Sequence, residues 1–304
     1  MKPLSFIILS YNRSADLLEL LKNISQLEQA HQLLEEIIVV NNASTEDYDK
    51  IRSFIKDQSS LPYIYFDAPE NLGVAKGRNY ALDKGKAPII IMLDDDAVLQ
   101  NKDCLVNLVK EFEINNTEKP KAIVSFKVLY YDNLQMQENA LPHKKFGEYK
   151  DKSFFETYYY AGGAHAIKRK VIEELGKYPG DFFYGMEEYD LAYRILDAGY
   201  SIVYSDQVVM LHKESPLGRK PKKEKLQMMW LNKSKVAWRY LPKKYFYSTA
   251  FMWSLQYLKE TSFNPGGFFS GWKKVFTISS NEKRTPIKQT TIDYLRKVKA
   301  RLWY

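Results

Sequence analysis

Three consecutive carboxylates, Asp94, Asp95 and Asp96, are the residues whose types and spacing best suit chemistry. They directly follow the apolar run Ile89–Leu93, which is typical of a strand buried on both faces of a parallel sheet. Three charges cannot remain inside such a sheet, so we expect them where the strand ends, the edge at which α/β sheets bind ligands. Adjacent carboxylates repel one another, and clustered oxygen ligands suit Mg²⁺ or Mn²⁺. Taken alone, the stretch is equally compatible with a solvated acidic turn.

The elements that must position these carboxylates alternate between strands and helices. This order predicts βαβ units and an α/β fold with a mostly parallel sheet. The predicted strands are Leu4–Ser10, Glu36–Val40, Tyr63–Phe66, Ile89–Leu93 and Ala122–Val128. The predicted helices are one capped by Ser14, Tyr48–Ile55, one that follows Asn79, Leu105–Ile114 and one that begins near Glu187. We also predict a long loop over Tyr130–Glu156 and two short strands over Tyr200–Leu211.

The length and composition are those of a globular protein. The chain has 304 residues, 45% of them apolar and 27% charged, which predicts a packed core in one large domain or two. Cys104 is the single cysteine, so the chain cannot form an internal disulfide, as is usual in a reducing compartment. The N-terminal apolar run resembles a core strand rather than a signal peptide, and we find no run of about 18 apolar residues that could span a membrane. These features predict a cytoplasmic location.

Charge is distributed unevenly along the chain. Residues 1–212 hold 24 basic and 32 acidic side chains, whereas residues 213–304 hold 21 basic and 5 acidic ones. We therefore predict a catalytic domain over 1–212, a mobile Lys-, Pro- and Gly-rich linker over 213–225 and a basic helical region over 226–304. A net charge of +16 after residue 212 favours an anionic surface, either a membrane or a nucleic acid.

The basic region also contains an aromatic segment, Tyr245–Leu258, flanked by lysines. It is too short to span a bilayer comfortably but is suited to a helix that lies at a membrane interface. The alternatives are a helical extension packed on the catalytic domain and a dimerisation element that would make a homo-oligomer. We favour contact with an anionic membrane, which would place the protein peripherally at the inner face.

Seven short motifs, taken in order, resemble family two of the nucleotide-sugar glycosyltransferases, which have the Rossmann-like GT-A fold. No single motif is specific, and the resemblance rests on their order and spacing over residues 4–212. The motifs are S-Y-N-R (10–13), V-V-N-N-A-S-T (39–45), N-L-G-V-A-K-G-R-N (71–79), L-D-D-D (93–96), G-G (162–163), E-E-Y-D-L-A-Y-R (187–194) and His212.

The resemblance implies a role for each of nine residues. They are Tyr11, Asn41 and Arg78 at the nucleoside, Asp94 at the ribose, Gly163 close to the donor sugar, Asp96 and His212 at the metal or diphosphate, and Glu188 as catalytic base with Glu187 as second candidate. Two residues depart from the family pattern. Glu188 follows a Glu where the motif commonly reads Glu-Asp, and Asn41 replaces a frequent Asp, so the nucleotide base stays open.

Each motif also has a simpler explanation when it is considered alone. Glu187 and Glu188 could form a charged first helical turn, Asp190 and Arg194 are spaced for an ion pair on the helix, and a lone histidine is usually structural. Gly162–Gly163 could be an ordinary turn.

The predicted function is metal-dependent, inverting transfer of a hexosyl or deoxyhexosyl group from a nucleotide-sugar to a glycan or lipid-linked glycan, as in polysaccharide biosynthesis. A sugar nucleotidyltransferase is the first alternative, but Ser10–Ser14 lacks the expected glycine-rich loop. A nucleic-acid-binding protein would leave the acidic motifs unexplained, so a nucleic-acid partner is disfavoured. A dehydrogenase is also disfavoured, because no G-x-G-x-x-G follows the first strand.

Overall fold

The computed structural model describes residues 1–303 of the chain. Nine strands form one mixed sheet in the order β3-β2-β1-β4-β8-β6-β9-β5, and β7 pairs with β9. The strands are β1 (Leu4–Ser10), β2 (Leu34–Asn41), β3 (Tyr63–Asp67), β4 (Ile89–Asp94), β5 (Ala97–Leu99), β6 (Lys121–Tyr130), β7 (Phe154–Thr157), β8 (Ala164–Lys168) and β9 (Ser201–His212).

Helices cover both faces of the sheet, and five of them follow the last strand. They are α1 (Ser14–Ile24), α2 (Ala30–Leu33), α3 (Asp49–Asp57), α4 (Gly73–Leu82), α5 (Cys104–Glu113), α6 (Phe146–Tyr149), α7 (Arg169–Leu175), α8 (Glu187–Asp197), α9 (Lys222–Tyr240), α10 (Lys243–Glu260), α11 (Pro265–Phe276), α12 (Ile278–Asn281) and α13 (Gln289–Lys297). Within residues 1–303 no helix is both long and apolar enough to cross a membrane.

The strand register brings the polar motifs to one edge of the sheet. In the parallel half, β1 lies between β2 and β4, so Ser10 pairs with Asn41 and Leu9 pairs with Asp94. On the other side of β4, antiparallel β8 places Ala164 opposite Leu93, which sets Gly163 beside Asp94. The short strand β5 pairs Ala97 with His212 of β9, so the histidine arrives next to Asp96.

The predicted parallel order holds for β1 to β4, but the half of the sheet beyond β4 is mixed. Strands β8, β6 and β4 alternate in direction, while β9 is parallel to β6. The reason is that a long connecting segment precedes β8 and starts that strand at the ligand-binding edge of the sheet. Strand β8 therefore runs antiparallel to β4. This reversal is what carries Gly162 and Gly163 to the end of β4.

Three local predictions were wrong. Ser14 was predicted to cap the first helix, but it is the first residue of α1, and the N-cap position is Arg13, whose side chain makes no capping hydrogen bond. The Ser14 amide donates instead to a carboxylate oxygen of Glu46. The two strands predicted over Tyr200–Leu211 are one strand, because residues 206–208 form a bulge that shifts the register with β6 without ending the pairing. The predicted loop over 130–156 contains a 3₁₀ turn (Glu138–Ala140), α6 and the start of β7.

The C-terminal helices pack against the sheet-bearing part of the chain. Trp230 of α9 is fully buried and its indole N–H donates to the carbonyl of Ala250 on α10. The predicted ion pair between Asp190 and Arg194 is confirmed at 3.0 Å. The second oxygen of Asp190 accepts from Arg239, at 2.9 Å, and from the Tyr240 hydroxyl, so this buried carboxylate also ties α9 to α8.

Candidate active site

A cavity of about 790 Å³ opens at the edge where β1, β2 and β4 end, and we call it the sheet-edge cavity. Eight of the nine residues predicted for the site line it: Tyr11, Arg78, Asp94, Asp96, Gly163, Glu187, Glu188 and His212. The ninth, Asn41, does not. Its side chain is buried, donates to Asp67 at 2.9 Å and accepts from the Ser44 amide, while the neighbouring Asn42 faces the cavity.

Asp94, Asp96 and His212 form a group that could hold a metal ion. One ligand atom from each lies within 4.8 Å of the others. Asp96 is fully buried, and its Oδ1 has no hydrogen-bond partner although it lies 3.3 Å from Nε2 of His212. Nδ1 of His212 lies 2.8 Å from Oε1 of Gln137, an amide oxygen that can only accept, so Nδ1 is the donor and Nε2 faces Asp96. A buried carboxylate oxygen without a hydrogen-bond partner, next to an imidazole nitrogen, fits a divalent cation.

The other oxygen of Asp96 faces protein donors. It accepts from the Ser215 amide at 2.9 Å and lies 3.3 Å from Arg13. Burial alone would raise the pKa of Asp96, but the interactions with His212, Arg13 and Ser215 lower it below the ordinary value. Asp95 behaves differently, because burial and the neighbouring Asp96 outweigh Arg13 and raise its pKa to about 6. Asp95 thus serves as an internal anchor for Arg13 and Ser10, while Asp96 stays ionised as a ligand must.

A buried arginine joins the two acidic motifs. Arg78 of α4 donates to Glu187 at 2.9 Å and to Asp94 at 3.2 Å. Helix α4 can approach β1 this closely because a side chain at Gly77 would collide with Leu9. Gly163 is equally constrained, since a Cβ there would overlap the Asp94 carboxylate. The backbone amide of Asp94 also donates to the Gly163 carbonyl. These contacts fix the position of the Asp94 side chain.

Glu187 and Glu188 begin the same helix but have different surroundings. Glu187 is buried, one oxygen is held by Arg78 and the other has no partner. Glu188 is half-buried and lines the cavity. Burial, and then the charge of Glu187, raise the pKa of Glu188 well above its ordinary value, against the opposing effects of Arg78 and Lys233. A carboxylate with a raised pKa is a stronger proton acceptor, so Glu188 is the better candidate for a general base.

A second cavity of about 700 Å³ continues from the first, and we call it the tyrosine-lined cavity after Tyr158, Tyr159, Tyr160 and Tyr189. The two cavities meet at a common boundary. The residues that line both are Asp94, Gly162, Gly163, Met186, Glu188, His212 and Met229. Glu188 is therefore accessible from both cavities.

The segment 213–221, which was predicted to be part of a linker, lies over the sheet-edge cavity. Arg13 donates to the carbonyls of Leu217, at 2.8 Å, and Ser215, at 3.2 Å. Gly218 has a φ of +67°, and a Cβ there would collide with the carbonyl of Tyr11. This close approach brings Arg219 to 3.8 Å from Asp96, so the segment adds positive charge to the cavity.

Sequence analysis missed several residues of both cavities. Arg13 lies within a motif that was recognised, but its ion pair with Asp95 had no signal in the spacing. Two of them, Gln137 and Lys144, lie in a region that was predicted to be a loop, and Lys233 lies in the middle of a helix. Isolated polar residues are common in both settings. Gln137 reaches His212 through β6, because the segment before Gln137 pairs back on Val128 and Leu129 while β6 also pairs with β9. This single isolated bridge leaves no pattern in the sequence.

The comparisons with known proteins agree with this site. The model of glycosyl transferase family 2 matches residues 5–176, more than half of the chain, and the chain belongs to this family. The match covers β1 to β8 and the motifs as far as Gly162–Gly163, and it ends before Glu187, Glu188 and His212. It favours the transferase over the nucleotidyltransferase and nucleic-acid-binding alternatives.

Three curated relatives each match part of this chain. The chain is 28% identical over 265 residues to the uncharacterized glycosyltransferase YfnE of Bacillus subtilis, covering 70% of this chain and 65% of that protein. It is 28% identical over 179 residues to an uncharacterized Haemophilus influenzae protein, covering 58% and 92%. It is 24% identical over 188 residues to the O-antigen chain rhamnosyltransferase RfbN of Salmonella typhimurium, covering 59% and 57%.

Solved structures confirm the GT-A fold. Mannosyltransferase PcManGT from Pyrobaculum calidifontis, in complex with GDP-Man and Mn²⁺, superposes with a TM-score of 0.58 at 20% identity, over 98% of this chain and 79% of its own. TarS of S. aureus in complex with UDP-GlcNAc gives a TM-score of 0.60 at 14% identity, over 91% and 81%. The predicted α/β fold class with a helical C-terminal region is confirmed.

Proposed function

We propose that this protein transfers a sugar from a nucleoside diphosphate donor, held in the sheet-edge cavity, to a hydroxyl of a glycan or lipid-linked glycan. The single observation that carries the proposal is the meeting of the two cavities at Glu188, next to Asp94, Asp96 and His212. PcManGT and TarS, which share the fold, were solved with nucleotide-sugars, and this supports the choice of donor class.

The residues of the sheet-edge cavity have matching roles in the proposed reaction. Asp96 and His212, with Asp94 beside them, would hold Mg²⁺ or Mn²⁺, which supplies positive charge to the diphosphate when bound. Arg13 and Arg219 add positive charge on the far side of Asp96. Tyr11 and Arg78 would contact the nucleoside, and Asp94 the ribose. Gly162 and Gly163 leave space for the donor sugar, because a side chain at either would approach Arg78 or Asp94.

Glu188 would act as the general base. It takes the proton of the acceptor hydroxyl while that oxygen attacks the anomeric carbon, and the bond from this carbon to the diphosphate oxygen breaks. The electron pair of the broken bond leaves with the nucleoside diphosphate. Attack from the face opposite the leaving group would invert the anomeric configuration, as the resemblance to the family implies. Glu187 would hold Arg78 in place and is the second candidate for the base.

The C-terminal helices would place the acceptor cavity at a membrane. Helix α10 contributes Trp253 to the tyrosine-lined cavity while Tyr247, Phe251 and Leu255 form an exposed stripe on the same helix at 63%, 54% and 43% exposure. Lysines flank the helix, a pattern suited to anionic interfaces. We therefore assign 1–212 as the catalytic domain, 213–225 as a segment over the donor, and 226–304 as a basic membrane-contacting region.

A thermal-shift panel tests the donor half of the proposal. UDP, GDP, their sugar conjugates and deoxythymidine diphosphate sugars are compared with and without Mn²⁺. A ligand that binds the folded state raises the melting temperature, and a tighter ligand raises it more. The compounds that carry one particular nucleotide base should therefore stabilise the protein in a Mn²⁺-dependent manner. No stabilisation by any nucleotide in Mn²⁺ would contradict the proposed function.

A further inference from the structure

We propose that the tyrosine-lined cavity is an acceptor subsite for a phosphate or diphosphate group, held by Lys144, Lys233 and Arg301. The inference rests on the proposed function, because Glu188 is taken as the point at which donor and acceptor meet. It adds the chemical class of the acceptor, for which the sequence motifs hold no information.

The first observation is that two of the three cations have no anionic partner. Lys144, Lys233 and Arg301 all line the cavity. Within residues 1–303, the side chains of Lys144 and Lys233 make no hydrogen bond or ion pair. Their ammonium groups lie instead over aromatic rings, that of Lys233 at 2.8 Å from the ring centroid of Tyr189 and that of Lys144 at 5.8 Å from that of Tyr159. A cation placed on a ring face keeps its N–H donors available for a ligand.

The second observation is the balance of charge in the cavity. Three carboxylates also line it, Asp94, Glu188 and Glu260. Asp94 is paired with Arg78, and Glu260 accepts from Lys222 at 2.7 Å. Glu188 makes no ion pair within residues 1–303, and its charge acts at longer range on Lys144 and Lys233. Burial, together with the repulsion of Lys144 and Arg301, lowers the pKa of Lys233 well below its ordinary value. A bound anion would relieve this repulsion.

The shape and lining of the cavity favour a phosphoryl group over a single carboxylate. Three separate cations can engage the several oxygens of a phosphate or diphosphate, whereas one carboxylate presents two. The cavity also has an apolar side, formed by Leu226 and Met229 of α9 and Trp253 of α10. An acceptor with an anionic head and an apolar tail would therefore contact the cations with its head and these helices with its tail.

Calorimetry with the full-length protein in EDTA tests the subsite, because removal of divalent cations weakens the diphosphate site at Asp96. The probes are farnesyl diphosphate, inorganic pyrophosphate and farnesol. The variants are Lys233→Met, which keeps the length of the side chain, and Lys144→Met and Arg301→Met, both at exposed positions. The melting temperature of each variant is measured to establish that it is folded. Lys283→Met, an exposed lysine outside both cavities, is the matched control for the loss of one positive charge.

We expect farnesyl diphosphate to bind the wild type and the Lys283→Met control equally. Loss of a charge-assisted hydrogen bond should weaken binding roughly 10- to 100-fold in each of the three cavity variants. Stronger binding of farnesyl diphosphate than of pyrophosphate identifies a lipid-linked source, and equal binding identifies a free phosphorylated acceptor. Binding of farnesol as tight as farnesyl diphosphate, or wild-type affinity in all three variants, would overturn the proposal. The thermal-shift panel of nucleotides in Mn²⁺ tests the proposed function separately, since donor binding does not depend on these three cations.

Discussion

The sheet-edge cavity and the tyrosine-lined cavity are built in different ways although they meet at Glu188. In the first, each charged side chain is tied to another: Arg13 to Asp95 and Asp96, Arg78 to Glu187 and Asp94. In the second, Lys144 and Lys233 have aromatic neighbours and no anionic partner in the described chain. The first cavity is organised before any ligand arrives, whereas the second has charge that is left for a ligand to complete.

The largest effect should come from the sheet-edge cavity. Asp96→Ala removes a ligand whose Oδ1 has no other hydrogen-bond partner, so Mn²⁺-dependent donor binding should fall below detection. The protein should remain folded with a lower melting temperature, because the Ser215 amide loses its acceptor and Arg13 loses a neighbouring charge. Gln137→Leu removes the group that orients His212, together with its hydrogen bond to Glu214, and should cost roughly 10- to 100-fold in metal affinity. Calorimetric titration with nucleotide and Mn²⁺ measures both variants. Wild-type donor affinity in Asp96→Ala would show that the metal, if one binds, lies elsewhere.

The difference between the cavities also explains what the sequence could predict. The sheet-edge cavity is formed by strand ends, and a buried apolar run followed by charges, as in Ile89–Asp96, marks a strand end directly. The tyrosine-lined cavity is assembled from 137–144, α8, α9 and the last residues of the chain, which are far apart in sequence. Lys233 on α9 looks like any solvent-facing helical lysine until α8 is packed against it. Long-range packing of this kind leaves no short-range pattern.

Gly163→Ala should have the next largest effect. Its Cβ would overlap the Asp94 carboxylate, so either the carboxylate or the loop must move. We expect roughly tenfold weaker donor binding, because Asp94 belongs to the candidate metal group, and a loss of unfolding free energy of about 1–3 kcal/mol from overpacking. Gly147→Ala, where a Cβ meets no atom within 4 Å, is the matched control. Equal donor affinity in both variants would contradict the assigned position of Asp94.

A pH profile tests how the two cavities influence each other. Glu188 must be ionised to accept a proton, and its pKa is raised, so kcat/KM should increase with pH through a midpoint above the ordinary range of glutamate. The charge of Lys233 opposes this shift. Lys233→Met should therefore move the midpoint to higher pH, whereas Lys283→Met should leave it unchanged. A midpoint that moves to lower pH in Lys233→Met would show that the lysine does not act on the base.

The smallest effect concerns the exposed stripe of α10. Replacing Tyr247, Phe251 and Leu255 by serine should reduce co-sedimentation with anionic vesicles roughly tenfold, because apolar area no longer enters the interface. Wild-type binding should also weaken as salt rises, since salt screens the lysines. Neutral vesicles and a DNA duplex serve as controls. Unchanged partitioning of the triple variant, or no binding to anionic vesicles at low salt, would favour a packing or dimerisation role for this face.

The proposed reaction depends most on Glu188, the group shared by the two cavities. The direct measurement is single-turnover transfer by Glu188→Gln, with donor and acceptor affinities determined on the same preparation. Because proton removal belongs to the transition state, we predict a rate lower by about 10²- to 10⁴-fold with both affinities retained. Glu187→Gln, which disturbs Arg78, should instead weaken donor binding. Near-normal turnover in Glu188→Gln, with a loss of rate but not of donor affinity in Glu187→Gln, would contradict the account and assign the base to Glu187.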